Sequence, residues 1–258
     1  MKRSGFDIQR AAIFALFLRE IRTRFGAYRL GYLWALLEPA AHVLVLTVVT
    51  SSIGVRVIPG ISFPAFFIAG VVPWFLFSDI AVRSLKAVEA NAGLFNYRPV
   101  KPIDTIIARA LLEFVISACV YLLLLTLVDL FYEPIELDSL LLLLASFILL
   151  AWFSFGVGLC LMALGDAFPE AEKIVPLAIR PLYFVSGIFF SLELVPSDYH
   201  AYLLWNPLLH AIEVGRSALS YGYDVPDASL LYLFLVALAA NVLGLLVYHA
   251  REREMLST

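Results

Sequence analysis

Long apolar runs separated by short polar connections dominate this chain. A helix crossing the hydrocarbon core needs about 20 mostly apolar residues. Six segments meet that requirement: 33–55, 63–82, 106–130, 140–164, 175–194 and 230–248. The pattern predicts an all-α, polytopic membrane protein with six transmembrane helices, built as one transmembrane domain over residues 1–258.

Three stretches do not fit the spanning pattern. In residues 5–29, Phe14, Phe17, Leu18, Ile21 and Phe25 fall on one face of a 3.6-residue helix, with Arg10, Arg19, Arg22, Arg24 and Arg29 around the remainder. This predicts an amphipathic helix in the headgroup plane, its guanidinium groups near anionic lipid. It serves as an anchor, as a gateway for an anionic lipid-linked substrate, or as both. Residues 83–102 predict a short connecting helix that ends at Pro99 and Pro102 and exposes Phe95 and Tyr97, as a docking element would. Asp104 is placed to cap the third span. Residues 195–229 carry Tyr199, Tyr202, Trp205, Tyr221 and Tyr223, interrupted by Pro196 and Pro207. Trp and Tyr favour the membrane interface, so a pair of re-entrant or interfacial helices is expected between spans five and six.

Composition agrees with the pattern. The chain is 62% hydrophobic and 15% charged, against about 45–50% and about 25% in soluble domains. The net charge of −3 decides little; its distribution decides more. With both termini cytoplasmic, every Lys and Arg except Arg56 and Arg216 falls on the cytoplasmic side, as the positive-inside rule requires. The connection between spans three and four is acidic instead, with Asp129, Glu133, Glu136 and Asp138. Cys119 and Cys160 lie inside apolar runs and read as small hydrophobes. The early apolar run 11–18 ends in Arg19-Glu20 and does not read as a cleavable signal.

Ionisable residues within spans are costly. Glu38 and His42, Asp79 and Arg83, and Arg109 and Glu113 are each four residues apart, so each pair can meet along its own helix. Such pairs neutralise one another or line a polar entrance. Arg180, between Pro176 and Pro181, has no partner at helical spacing and is expected to face a pore or a headgroup. There is no H-E-x-x-H zinc motif, no G-x-S-x-G elbow and no G-x-x-x-x-G-K-[ST] phosphate loop. If transport is ATP-driven, the motor is a separate subunit, and the segment 86–101 is its natural contact.

The stretch from Leu18 through Arg19-Glu20-Ile21-Arg22 to Trp34 and Pro39 resembles the N-terminal signature of type-2 ABC permeases that export polysaccharide. Glu89-Ala-Asn-Ala-Gly-Leu-Phe-Asn-Tyr-Arg-Pro-Val-Lys-Pro-Ile-Asp104 resembles the capsular, KpsM-like branch, as does Leu203 to His210 with Arg216 beyond it. The resemblance covers essentially the whole chain. It implies a second copy of the chain and two ATP-binding subunits below it. ATP and Mg would lie on those subunits, and this chain would bind no cofactor. It implies coupling to the motor through Glu89, Asn91, Phe95, Asn96, Tyr97 and Arg98. The cargo would be a lipid-linked acidic capsular polysaccharide crossing the bacterial inner membrane. A periplasmic adaptor and an outer-membrane channel would continue the path.

The residues then expected to act are Arg19, Arg22, Arg24, Arg29, Arg109 and Arg180 toward the anionic lipid headgroup, by paired guanidinium donors. Trp34, Phe77, Tyr183 and Trp205 are the candidate channel aromatics that stack on sugar rings. The alternative within the same fold is a permease for O-antigen or teichoic acid. A membrane-embedded transferase would need a clustered polar site, and an ion-driven transporter often carries inverted repeats; the sequence displays neither.

Overall fold

A computed structural model describes residues 5–25, 31–53, 60–95, 100–223, 225 and 227–256. The described residues are helical almost throughout. Helix α1 spans Gly5–Phe25, α2 Gly31–Ile53, α3 Phe63–Ser84 and the short α4 Ala92–Phe95. They are followed by α5 Pro102–Phe131, α6 Leu140–Ala167, α7 Ala171–Val185, α8 His200–Leu203, α9 Pro207–Ser217 and α10 Leu230–Met255. Among them, α2 from Leu33, α3, α5, α6 and α10 are long and apolar enough to cross a membrane. Their limits lie close to five of the six expected spans, and α5, α6 and α10 extend further.

The helix starts follow from local chemistry. Ser139 and Ser229 accept from the amides of Leu142 and Tyr232, each at 3.3 Å, and so cap α6 and α10. Asp104 accepts from the Lys101 amide at 2.9 Å and also from Gln9 Nε2 at 3.0 Å, which ties the start of α5 to α1.

Helix α3 is the centre of the bundle. Of its apolar window 78% is buried, against 11% for α2. It packs on α2, α5, α6 and α9, while α10 packs chiefly on α6 and α1 on α5. The α6–α10 crossing is close because Gly156 faces backbone: a Cβ there would stand 2.6 Å from the Asn241 nitrogen. Small residues at helix crossings let backbones approach in this way.

The expected fifth span, 175–194, takes a different form. Helix α7 stops at Val185, and Gly187 follows with φ +80°. Fifteen residues rise about 22 Å, short of the ~30 Å hydrocarbon core. The turn that follows is held by Arg216, 28 residues beyond Ile188. The Arg216 side chain is fully buried and donates to the carbonyls of Ile188, Phe190 and Phe66 at 3.1–3.3 Å. The carbonyls of Ile188 and Phe190 thus serve the guanidinium instead of a continuing helix ladder.

In the 195–229 stretch, α8 is short and exposed, with Tyr199, Tyr202 and Trp205 at the surface. Helix α9 is buried along nearly its whole length. Asn206 begins it, accepting from the Leu208 amide and donating to Ser186 Oγ, both at 3.0 Å.

The helix ends sort into two sets. At one end, Lys86 pairs with Glu172, Lys101 with Glu252 and Arg251 with Asp166. At the other, the Asp138 amide bonds the Ala218 carbonyl at 3.0 Å, and Ser220 bonds the Gly60 carbonyl.

Candidate functional site

At the Lys-rich end, α1 lies against α5, and its polar side reaches α3 through Arg24. Gln9, Leu16, Glu20 and Arg24 share one face at roughly helical spacing. Arg24 is hydrogen-bonded to Glu113 and lies 3.7 Å from Asp79. Arg83 lies 3.1 Å from Glu113 and 3.8 Å from Asp79. Glu113 is 2% exposed, so two guanidinium groups meet one buried carboxylate. A buried carboxylate needs such partners, because an unpaired one is very costly. Arg109 pairs with Glu20 at 2.7 Å and donates to the Arg83 carbonyl. Arg19 donates to Asn91 Oδ1 at 2.6 Å, and Asn91 Nδ2 in turn donates to the Ala87 carbonyl at 2.8 Å.

The expected headgroup arginines therefore divide. Arg19, Arg24 and Arg109 are engaged with protein partners. Arg22 and Arg180 are exposed. Arg29 lies outside the described residues. Asp79 meets Arg83 along its helix as expected, whereas Arg109 takes Glu20 and Glu113 takes Arg24 and Arg83. Glu38 and His42 are both exposed, and His42 instead makes edge contacts with Phe75 and Tyr183.

In the 83–102 connection, Glu89 is exposed and Asn91 is buried. Phe95 is half-buried against the cluster of Val88, Ile106, Met162 and Tyr248, which replaces the expected full exposure. Its apolar ring finds an apolar pocket within the chain. Asn96, Tyr97 and Arg98 lie outside the described residues.

Of the four candidate channel aromatics, Trp34 is 65% exposed on α2 and Trp205 is exposed beside α9. Phe77 is 4% exposed and stacks on Phe153 at 5.8 Å, inside the α3–α6 contact. It therefore presents no face to a channel. Tyr183 is half-buried at the centre of a ring cluster, 5.3 Å from Trp74, 5.1 Å from Phe189 and 5.9 Å from His42. Phe184 and Phe189 stack at 5.5 Å and are both exposed. This platform was not anticipated. Its sequence signal is thin, a Tyr-Phe pair and a Phe on either side of Gly187, and the turn that folds them together depends on Arg216.

The other end carries a second polar node. The Arg216 guanidinium lies 3.4 Å over the Phe66 ring and 3.0 Å from Glu213. Glu213 also accepts from the Tyr223 hydroxyl at 2.6 Å, and that hydroxyl lies 2.7 Å from Ser191 Oγ. Burial pushes the Glu213 carboxyl above its usual range, and Arg216 and Tyr223 oppose the shift. His210 accepts at Nδ1 from the Ser229 amide and faces the Leu204 carbonyl through Nε2. That pattern fixes a neutral ring protonated on Nε2, and burial lowers its pKa accordingly. Nearer the surface, both nitrogens of His200 face acceptors, Asp227 at 2.6 Å and the Val195 carbonyl at 2.8 Å. Among the described residues no cluster of His, Cys, Asp and Glu has metal-binding geometry.

Neither node brings together a nucleophile, an acid–base pair and an open cavity. Both join helix to helix. Residues 11–220 match the family model of the ABC-2 type transporter. The chain is 51% identical to the polysialic acid transport protein KpsM of Escherichia coli over all 258 residues, covering 100% of both chains. It is 28% identical to the capsule polysaccharide export inner-membrane protein BexB of Haemophilus influenzae, covering 95% of this chain and 92% of that one. It is 23% identical to the O-antigen export system permease protein RfbA of Klebsiella pneumoniae, covering 90% and 88%. A family match across most of the chain, joined to five membrane-length helices, settles the membership: this is a multi-pass membrane permease of the ABC-2 type transporter family, in its KpsM-like branch.

Proposed function

We propose that this chain is the membrane subunit of an ABC exporter that carries lipid-linked acidic capsular polysaccharide across the bacterial inner membrane. The observation that carries this reading is the 51% identity to a polysialic acid transport protein along the full length of both chains. The weaker match to an O-antigen permease, at 23%, favours the capsular cargo over its alternative. The test is complementation: a strain deleted for its own capsule permease, supplied with this chain and its ATP-binding partner, recovers surface capsule. Recovery of O-antigen instead would redirect the cargo.

Several finer features follow from this reading. Helix α7 and the turn after it act as a sixth crossing, and the 195–229 stretch as re-entrant periplasmic helices. Both termini are cytoplasmic, in keeping with the positive charge gathered at one set of helix ends. Two copies of the chain, with two ATP-binding subunits, form the complex. ATP and Mg are held by those subunits, and the 83–102 connection receives their motion. A periplasmic adaptor and an outer-membrane channel carry the polymer onward. The 11% burial of the α2 window supports a role for this helix at an interface with the second copy.

The exposed Arg22 and Arg180 are the guanidinium groups proposed to meet the lipid phosphate or the linker carboxylates. Trp34, Trp205 and the Tyr183 platform offer flat apolar faces to sugar rings. Arg22→Glu, expressed at the native level, is expected to lower surface capsule. Normal capsule would refute the headgroup role of that residue.

A further inference from the structure

Two opposite charges on the apolar helices α2 and α7 are left without a counter-charge. Glu38 and Arg180 are both exposed, and neither forms an ion pair among the described residues. Their neighbours on the same helices are exposed apolar side chains, Leu37 and Val45 on α2 and Ile174, Leu177 and Phe184 on α7. An open charge among such residues is costly in lipid. An arginine can extend its long stem toward the headgroups; the shorter glutamate cannot. The chain itself offers Glu38 little help. Glu38 borders a small cavity that also holds Arg24, Asp79 and Glu113. There Arg24 and Arg83 already serve Asp79 and Glu113. Glu38 is the carboxylate left over.

The two charges lie at one level. The His42 ring of α2 is 5.9 Å from the Tyr183 ring of α7, so the helices are neighbours there. Both run away from the Lys-rich end, since α7 starts at the Lys86–Glu172 pair and Glu38 stands beside Arg24. Glu38 precedes His42 by four residues and Arg180 precedes Tyr183 by three, a difference of about 1.5 Å in rise. Two copies standing the same way in one bilayer are related by an axis along the membrane normal. That axis preserves depth, so only residues at one level can meet across it. An isologous interface then forms each contact twice.

We infer that Glu38 of each copy pairs with Arg180 of the partner subunit, giving two ion pairs across the interface. The inference rests on the reading that two copies assemble, and it uses no property of the cargo. Arg180 then meets a headgroup phosphate only by exchanging one anion for another.

The test uses the full chain with its ATP-binding subunit in native membranes, with Cys119→Ala and Cys160→Ala removing the native thiols. Two differently tagged copies are co-expressed, one carrying Glu38→Cys and the other Arg180→Cys, and treated with a short bismaleimide linker. A covalent dimer bearing both tags is expected, and none when Leu246→Cys on the exposed face of α10 replaces Arg180→Cys. A second arm exchanges the charges in trans. Glu38→Arg alone, or Arg180→Glu alone, sets like charges against each other in the homodimer. Each is expected to lower the dimer fraction about tenfold, because like charges facing across an interface are strongly disfavoured. Co-expressed, the two variants restore both pairs in the mixed dimer, whereas pairing within one chain would be restored in neither. Recovery of the mixed dimer to the native level is the expected result. A native dimer that gives no cross-link, or whose variants do not recover in trans, would overturn the pairing and leave the two-copy reading standing. A native chain that runs as a single copy would overturn both. Both side chains are exposed, so their substitution leaves the packing within each chain intact.

Discussion

Glu113 is the residue on which the Lys-rich end turns, because Arg24 of α1 and Arg83 of α3 both reach it. Its position three turns into α5 was visible in the sequence, but its partners were not: Arg24 is 89 residues away and Arg109 is one turn away. Helical spacing favoured the nearer cation; tertiary packing chose the distant ones. Removing one member of a buried ion pair costs about 3–5 kcal/mol. Glu113→Ala is therefore expected to lower the thermal stability of the purified protein sharply, and Glu133→Ala, exposed just beyond α5, to leave it nearly unchanged. At the other end, Arg216→Lys is expected to fail as a substitute. A single ammonium cannot stack on Phe66 and reach the carbonyls of Phe66, Ile188 and Phe190 together. Recovery of native stability by the lysine variant would show that charge alone matters there. His200 gives a pH dependence. Its hydrogen bond to Asp227, and then the one to the Val195 carbonyl, raise its pKa. The folded state thus binds the proton more tightly than the unfolded state, whose value is about 6.5. The stabilisation is fully present below that value and is lost as pH rises through the higher folded one. Thermal stability measured across this range is expected to fall with rising pH, and the slope to flatten in His200→Gln.

Among the elements, the five long helices were legible because hydropathy over twenty residues is a strong signal, and Asp104 was legible as a carboxylate serving the start of α5, although it does so from within the first turn, with Lys101 at the cap position. Helix α7 was harder. Residues 175–194 are apolar enough for a span, and nothing local announces that Ile188 and Phe190 give their carbonyls to Arg216. The amphipathic α1 was legible as a helix; which of its sides meets the rest of the protein was not. The expected apolar stripe leaves Phe14 and Leu18 exposed, while Gln9, Arg19, Glu20 and Arg24 face the protein. In lipid, polar side chains gain more by meeting each other than by facing outward. The α6–α10 crossing supplies an element-scale prediction. A methyl at Gly156 would meet the backbone of Ala240 and Asn241, which cannot rotate away. Gly156→Ala is expected to cost about 1–3 kcal/mol and to reduce the folded protein recovered from membranes. Gly93→Ala, with nothing within 4 Å of its Cβ, is the matched neutral control.

At the scale of the whole molecule, the bundle is a scaffold centred on α3, with charge networks at its two ends and a lightly covered α2 along one side. Arg19 links α1 to Asn91 in the connection proposed to receive the motor's motion. This permits α1 and that connection to move as one body. The chain contains no phosphate loop of its own, and the proposed function assigns the work of transport to an ATP-binding partner. The most direct measurement reconstitutes the chain with that partner in vesicles and follows lipid-linked acidic polysaccharide to the opposite leaflet. The account predicts translocation that requires ATP and both subunits and that stops when the partner's ATPase site is inactivated. Translocation that continues without ATP, or without this chain, would contradict it.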